Sequence, residues 1–510
     1  MTRHPVVFWL AAAIALLWAN LPYLVGYANS TPTNHFGGFF LYEQDGYSYL
    51  AKMRQGAQGA WDFHLPYTSE DEYQTGGLAL MFYIVVGKLA ALGIDYQLIY
   101  HGSRLLSSWL LLVVLKRFLN RFICDPRWQV TTWWVLLLSG GWGLLFSTLI
   151  NSRYVAYELI APDAHLFTLL YGPPHVIFGF ALLLIWIGYT LDSFQTDQAQ
   201  LPIRLVLANL QGGITALSRE AYGPVFAGLF AAYLIAFTLQ HRRIPWREGA
   251  IVAGSSILAG AYGVYMLIAY RTIPGFIAWY QQNPFESPGL IDFVLGFAPL
   301  LLLALIGRRA LKDLPASSER TLLMTWLLAA PVMTYLPIAI SRRMIAGWQI
   351  PLSIFAAYGL LQLWRKRRAF AIAASISLVP ATLLIILGGT ARVTAQQPPL
   401  YQSAAELAAL NWLGANTTDR DVVLSEWEFG NLVPIYANAR VFIGHPIETI
   451  DYKTKRTLVD QFFAATDSAQ RRDFIQRWHI TVIAAKADRA LNDFPIVFQS
   501  GNVTLYRATP

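Results

Sequence analysis

Eleven apolar runs, broken by short polar stretches between residues 6 and 391, constrain this chain more than any other feature of its sequence. They cover residues 6–27, 103–119, 130–150, 172–190, 203–218, 222–240, 249–270, 290–307, 320–340, 346–364 and 369–391. Runs of this kind are long enough to cross a bilayer as helices, where every backbone polar group must be satisfied internally. Charge divides the chain the same way: of 68 charged residues among 510, residues 392–510 carry 24, split 12 to 12, so the net +8 belongs to the apolar part. A single cysteine, Cys124, excludes an internal disulfide framework and a cysteine-based metal cluster. The basic residues sit between apolar runs rather than along one stripe, which assigns the positive charge to membrane orientation and not to nucleic acid.

Arg3 and His4 precede the first run as in a signal peptide, but its length of about 22 residues and the lack of a small-residue cleavage pattern make it a first span. Residues 76–92 (GGLALMFYIVVGKLAAL) are apolar yet glycine-bearing and interrupted by Lys88. Parity decides their place. With eleven spans and a cytoplasmic N-terminus, the loops starting at Lys116, His241, Arg308 and Trp364 all fall inside. Residues 1–391 then hold 17 Lys plus Arg against 6 acids inside and 9 against 12 outside, as the positive-inside rule expects. A further span at 76–92 would invert every later loop, so that segment is expected to lie against the bundle as a juxtamembrane helix.

This topology predicts a transmembrane domain over residues 1–395, with a first outer loop at 29–102, and an extracytoplasmic domain over 396–510. In the tail, β-rich runs starting at Val422, Arg440, Ile480 and Val503 alternate with helical patterns such as SAAELAALNWL, the signature of a small α/β domain. The fold class is therefore an α-helical polytopic membrane protein with a small C-terminal α/β domain, in the plasma membrane.

No phosphate-binding loop, dinucleotide fingerprint, GxSxG or HExxH occurs. What remains is a gathering of acidic and aromatic residues in the first outer loop, FFLYEQDGYSYLAKMRQGAQGAWDFHLPYTSEDEY. Carboxylates such as Glu43 and Asp45 can take a proton from a hydroxyl or hold a divalent cation, and Tyr42, Tyr47 and Tyr49 beside them suit stacking on sugar rings. A plainer reading makes Asp45 the N-cap of the helix YSYLAKMRQG.

The order of short N-terminal tail, first span, outer loop with an acidic pair and AKM-type helix, WDFHLPYTSE and an apolar juxtamembrane segment resembles the GT-C glycosyltransferases that use polyprenyl-phosphate sugars. The likeness is strongest to the protein O-mannosyltransferase and aminoarabinose-transferase branch and extends, as architecture, over nearly the whole chain. It implies that Asp45 is a catalytic base with Glu43 as its acidic neighbour, and that Asp163 in YELIAPDAHLF is a second acidic site, with His165 two residues on. The Glu-Gln-Asp order departs from the adjacent acids of many relatives and leaves open a divalent cation held by Asp45, Glu43 and Asp163. The resemblance also implies a hexosyl or pentosyl transferase whose partners are a polyprenyl-phosphate-linked sugar, a hydroxyl acceptor on a glycan, lipid or protein, and the bilayer.

Other candidates carry two readings each. Arg342 and Arg343 break the charge rule on the outer face, which suits a phosphate partner or snorkelling to headgroups. Asp163 could merely cap a helix, His64 could bind a sugar or make a surface contact, and Arg219 with Glu220 reads as a structural pair. Lys52 and Arg54 read as a polar helix face, Glu70, Asp71 and Glu72 as a solvated rim, and His175 as a kink cap. A transporter or flippase of a lipid-linked or sugar substrate is the second function class. It predicts ionisable groups at the bilayer midplane and repeated halves, neither of which the sequence shows. A scaffold or sensor is third, because it leaves the acidic loop without a role.

Overall fold

The computed structural model describes residues 5–284, 286–314 and 317–508, so Arg3 and His4 lie outside the described residues. All eleven apolar runs are helical. Among the described residues eight helices, α1 (Pro5–Ala28) included, are long and apolar enough to cross a membrane, and a ninth candidate is the pair Trp246–Ser255 and Ile257–Thr272, bent by 60° at its break. The remaining two runs form the helices Leu201–Ser218 and Ser318–Thr334, of 18 and 17 residues, at the lower edge of what spans hydrocarbon.

The chain forms two compact units, residues 1–22, 101–265 and 285–389 in one and residues 23–100, 266–284 and 390–510 in the other. The first is the helical body. Small residues let its helices approach backbone to backbone: a Cβ on Gly307 would stand 1.9 Å from the Phe355 carbonyl oxygen, and one on Gly359 2.2 Å from that of Leu303.

The second unit joins the first loop to the tail, whereas a boundary at residue 396 separates them. Its centre is a five-stranded sheet of β1 (Val422–Leu424), β2 (Arg440–Val441), β3 (Val482–Lys486), β4 (Ile496–Ser500) and β5 (Val503–Arg507), in the order β2-β1-β3-β5-β4. β1 pairs parallel with β2 and β3, and β5 antiparallel with β3 and β4. Alternation along the strands sends Val423, Val482, Ala484, Val503 and Leu505 into one core and Val422, Leu424, Ile483, Ala485 and Tyr506 into another.

The first core is completed by the first loop. Helix α2 (Glu43–Ala57) supplies Tyr47, Leu50, Ala51 and Met53, a stripe at helical spacing. The short α3 (Met81–Gly87), continued by a 3-10 turn to Leu92, is an apolar helix of 12 residues, too short to span. Lys88, which interrupts it, donates to the Ala60 carbonyl at 2.9 Å and lies 3.9 Å from the Trp61 ring centroid. Two glycines bring α2 and α3 together. A Cβ on Gly56 would lie 2.1 Å from the Ile84 carbonyl oxygen, and one on Gly87 2.1 Å from that of Met53. Tyr49 stacks on Tyr83 at 4.2 Å beside this contact.

Gly56→Ala is therefore expected to force the two helices apart and destabilise the protein by about 1–3 kcal/mol. Gly102→Ala, in α4 (Tyr96–Leu119), where nothing lies within 4 Å of the added carbon, is expected to leave stability no lower. Melting curves of the two variants in detergent check both.

Candidate functional site

Helix α2 starts at Glu43, two residues before Asp45, out of a left-handed Tyr42 (φ 53°). Asp45 is thus an early helical residue and not the N-cap. Asp45, Ser48 and Lys52, at i, i+3 and i+7, share one helix face. That face meets the tail segment 444–449. His445 Nε2 lies 3.1 Å from Asp45 Oδ1, Ser48 Oγ donates to Glu448 Oε1 at 2.5 Å, and Lys52 Nζ reaches the same oxygen at 2.7 Å. Lys52 is fully buried, Glu448 nearly so, and Asp45 keeps 40% of its side chain exposed. Burial alone would raise the Glu448 pKa, but the Lys52 ammonium beside it brings it below the ordinary carboxylate range.

The His445 ring is fixed by its surroundings. Nδ1 accepts the backbone N–H groups of Ile447 and Glu448, both at 3.2 Å, which assigns the ring proton to Nε2 and makes that atom the donor to Asp45. The His445 carbonyl accepts from the Glu448 and Thr449 amides, and Gly444 N donates to Thr449 Oγ1 at 3.0 Å, closing the turn.

Glu43, two residues from Asp45, points to another side of α2, where it pairs with Arg392 at 3.4 Å and lines a cavity of about 110 Å³ with Gln44, Trp427 and Lys486. The two carboxylates are not a facing pair. Tyr47 is buried, its hydroxyl donating to the Pro399 carbonyl at 2.9 Å and accepting from Gln402, so it serves the core. His64 is half exposed, bonded to the Gln74 carbonyl at 2.7 Å and paired with Asp62 at 3.1 Å. Of the expected solvated rim, Glu70 instead pairs with the buried Lys455 at 2.7 Å, while Asp71 is open to solvent and pairs with Arg440 at 2.6 Å.

Within the helical body, Asp163 sits in the 3-10 turn Pro162–Ala164, caps no helix and is buried. Its backbone carbonyl accepts Gly347 N at 3.1 Å, and its Oδ2 faces the Tyr222 hydroxyl at 3.5 Å. Arg343 is buried in the turn Ser341–Ile345 and interacts electrostatically with Asp163, Arg219, Arg342 and Tyr222. A buried guanidinium beside a carboxylate is not snorkelling to lipid. Arg219 Nη1 lies 3.3 Å from His175 Nε2. His165 is buried, stacked on Phe297 at 4.7 Å, and burial drives its pKa down to about 3. It is a neutral core ring and cannot offer a positive charge to phosphate.

Glu158, which sequence patterns left unmarked, is also buried. Its carboxylate accepts Leu144 N at 3.2 and 3.3 Å, and burial raises its pKa to about 7. Among the described residues no group of three or more His, Cys, Asp or Glu side chains is arranged to hold a metal ion.

No protein-family model matches the chain, and no curated protein sequence does. Solved structures do. The oligosaccharyltransferase of Archaeoglobus fulgidus, tethered to an acceptor peptide containing the NVT sequon, aligns over 96% of this chain and 70% of its own, with a TM-score of 0.54 at 14% identity. ArnT from Cupriavidus metallidurans bound to undecaprenyl phosphate aligns over 98% of both chains, with a TM-score of 0.52 at 14% identity. The chain shares the fold of these structures. The archaeal enzyme AglB in complex with an inhibitory peptide and a dolichol-phosphate aligns over 94% of this chain and 69% of its own, with a TM-score of 0.52 at 13% identity. His445 and Glu448 are residues of this site that sequence reading missed. Their partners stand about 400 positions away, and the only local signal is two polar residues three apart in an apolar stretch, IGHPIETI.

The Glu158 shift has a definite sign. Folded protein holds the proton up to about pH 7, whereas the unfolded chain releases it near pH ~4.3, so stability falls as pH rises through that window and levels off above it. Glu158→Gln is expected to remove on the order of 3 kcal/mol of this dependence, read as the difference between wild-type and variant melting curves from acid to neutral pH.

Proposed function

We propose that this GT-C chain is an integral-membrane glycosyltransferase that moves a sugar from a polyprenyl-phosphate donor to an acceptor hydroxyl on the outer side of the membrane, with inversion. The observation that carries the reading is Asp45, a half-exposed carboxylate at the start of α2 with an imidazole N–H directed at it. In the proposed reaction the acceptor oxygen bonds to the anomeric carbon as its proton passes to Asp45. The bond from that carbon to the donor's phosphate oxygen breaks, and the electron pair leaves with the lipid phosphate. Arg342 and Arg343 are assigned to the donor's phosphate, because the guanidinium fork matches phosphate oxygens in geometry and charge.

One observation favours transport instead: the 60° break at Ser256 between the helices Trp246–Ser255 and Ile257–Thr272, a feature of transporter folds. Proteoliposomes separate the two readings, since a flippase would move a labelled polyprenyl-phosphate sugar across the bilayer without cleaving it.

The orientation proposed from charge places the exposed Cys124 in the cytoplasm. A membrane-impermeant thiol reagent is expected to label it in inverted vesicles and not in intact cells.

With undecaprenyl-phosphate sugars as donors, Asp45→Asn is expected to remain folded and lose about 100-fold or more in turnover. In the same assay Arg343→Ala is expected to weaken donor binding by about 1.5–3 kcal/mol, with only partial rescue by lysine, which lacks the planar fork. Wild-type turnover in Asp45→Asn would overturn the mechanism.

A further inference from the structure

We infer that His445 is a positioning residue for Asp45: its Nε2–H, fixed by the two backbone donors on Nδ1, orients the Asp45 carboxylate for the acceptor's proton. This rests on the glycosyltransferase reading above. The inference stands on geometry within one compact unit, because Asp45, His445 and every group that fixes the ring belong to residues 23–100 and 390–510.

The arrangement is more than one contact. The imidazole is 3% exposed, so solvent does not compete for its N–H, while Asp45 is 40% exposed and accessible to a substrate hydroxyl. The ring has no freedom to change tautomer without losing two backbone hydrogen bonds, and Tyr67 packs beside it at 5.9 Å between ring centroids. Tyr67 is itself tied by its hydroxyl to the Asn431 carbonyl at 3.2 Å. Gln282 donates to the Thr449 carbonyl at 3.1 Å and holds the far side of the turn. Glu448, three residues along the same loop, is locked to Ser48 and Lys52 through one oxygen, so the distance from His445 to Asp45 is held by a connected buried network on the same helix face.

A bond serving only to hold the tail would be replaceable at little kinetic cost, since the Lys52–Glu448 pair already does that. What His445 adds is direction: one oxygen of the carboxylate is occupied by a donor in a fixed orientation.

The test uses the full-length purified protein, undecaprenyl-phosphate carrying a radiolabelled sugar, and release of that sugar as the readout. His445→Phe keeps a ring against Tyr67 but donates nothing. It is expected to lower kcat by roughly 10- to 100-fold, the loss of one charged hydrogen bond, with donor KM changed by less than about twofold. His445→Gln, whose amide nitrogen reaches the place of Nε2, is expected to recover most of that loss. In Asp45→Asn the phenylalanine is expected to cost little more, because the two residues act as a unit. Wild-type kcat in His445→Phe, or a full additional loss on top of Asp45→Asn, would overturn the positioning role and leave the glycosyltransferase reading standing. If wild type releases no sugar, or Asp45→Asn releases it at the wild-type rate, the reading itself fails and this inference with it. Should His445→Phe melt well below wild type, His445→Gln decides: a folded glutamine variant as slow as the phenylalanine one overturns the role.

Discussion

The buried ion pair between Lys52 and Glu448 is the interaction on which the rest of the second unit depends. Removing two charges from water costs several kcal/mol each, and attraction between them offsets this only when geometry is close and the remaining polar atoms are served. Here the contact is 2.7 Å and Ser48 donates to the same oxygen, Oε1, while Oε2 is buried with no hydrogen-bond partner among the described residues, so the pair rests on Oε1 alone. Neither partner can move off by a turn of helix without stranding a charge, so the pair sets the register between α2 and the turn at residues 444–449. The Asp45–His445 contact lies one step along that register. Glu70 with Lys455 repeats the device elsewhere in the unit.

The helical body is held differently. Its close helix crossings use glycine, as at Gly307 and Gly359, and Arg343 is buried within it, where the Asp163 charge acts on the guanidinium. Glu158 shows the opposite solution to burial, meeting the low-dielectric environment by holding its proton and not by finding a cation.

What could be read from the sequence divides along physical lines. Membrane helices are written in composition, and each of the eleven runs is helical, although the helices Leu201–Ser218 and Ser318–Thr334 are short for spans. Strand alternation located β1, β2, β3 and β5, while β4, which is more exposed, passed unnoticed beside the turn at Gly501. Pairings between distant segments were not legible. Lys52 reads as part of a polar helix face because nothing near residue 52 announces that Glu448 covers it. The same holds for Glu70 within an acidic run, where Lys455 singles out one member of three. Tyr47 and His165 looked like binding groups because aromatic rings beside acids do bind sugars, but both are enclosed by their own cores.

The separation of 400 positions between Asp45 and His445 also orders the events by which this protein comes into being. Synthesis delivers α2 early and the turn that clamps it only after every apolar run has been made. Until then Ser48 and Lys52 must remain hydrated, and the apolar stripe beside them has no sheet to cover it. The entropy of closing so long a loop grows only slowly with its length, so the delay is a matter of time more than of free energy. A ribosome that stops short of residue 445 would leave a chain whose apolar runs are complete but whose α2 still exposes the apolar stripe that the sheet covers in the finished protein.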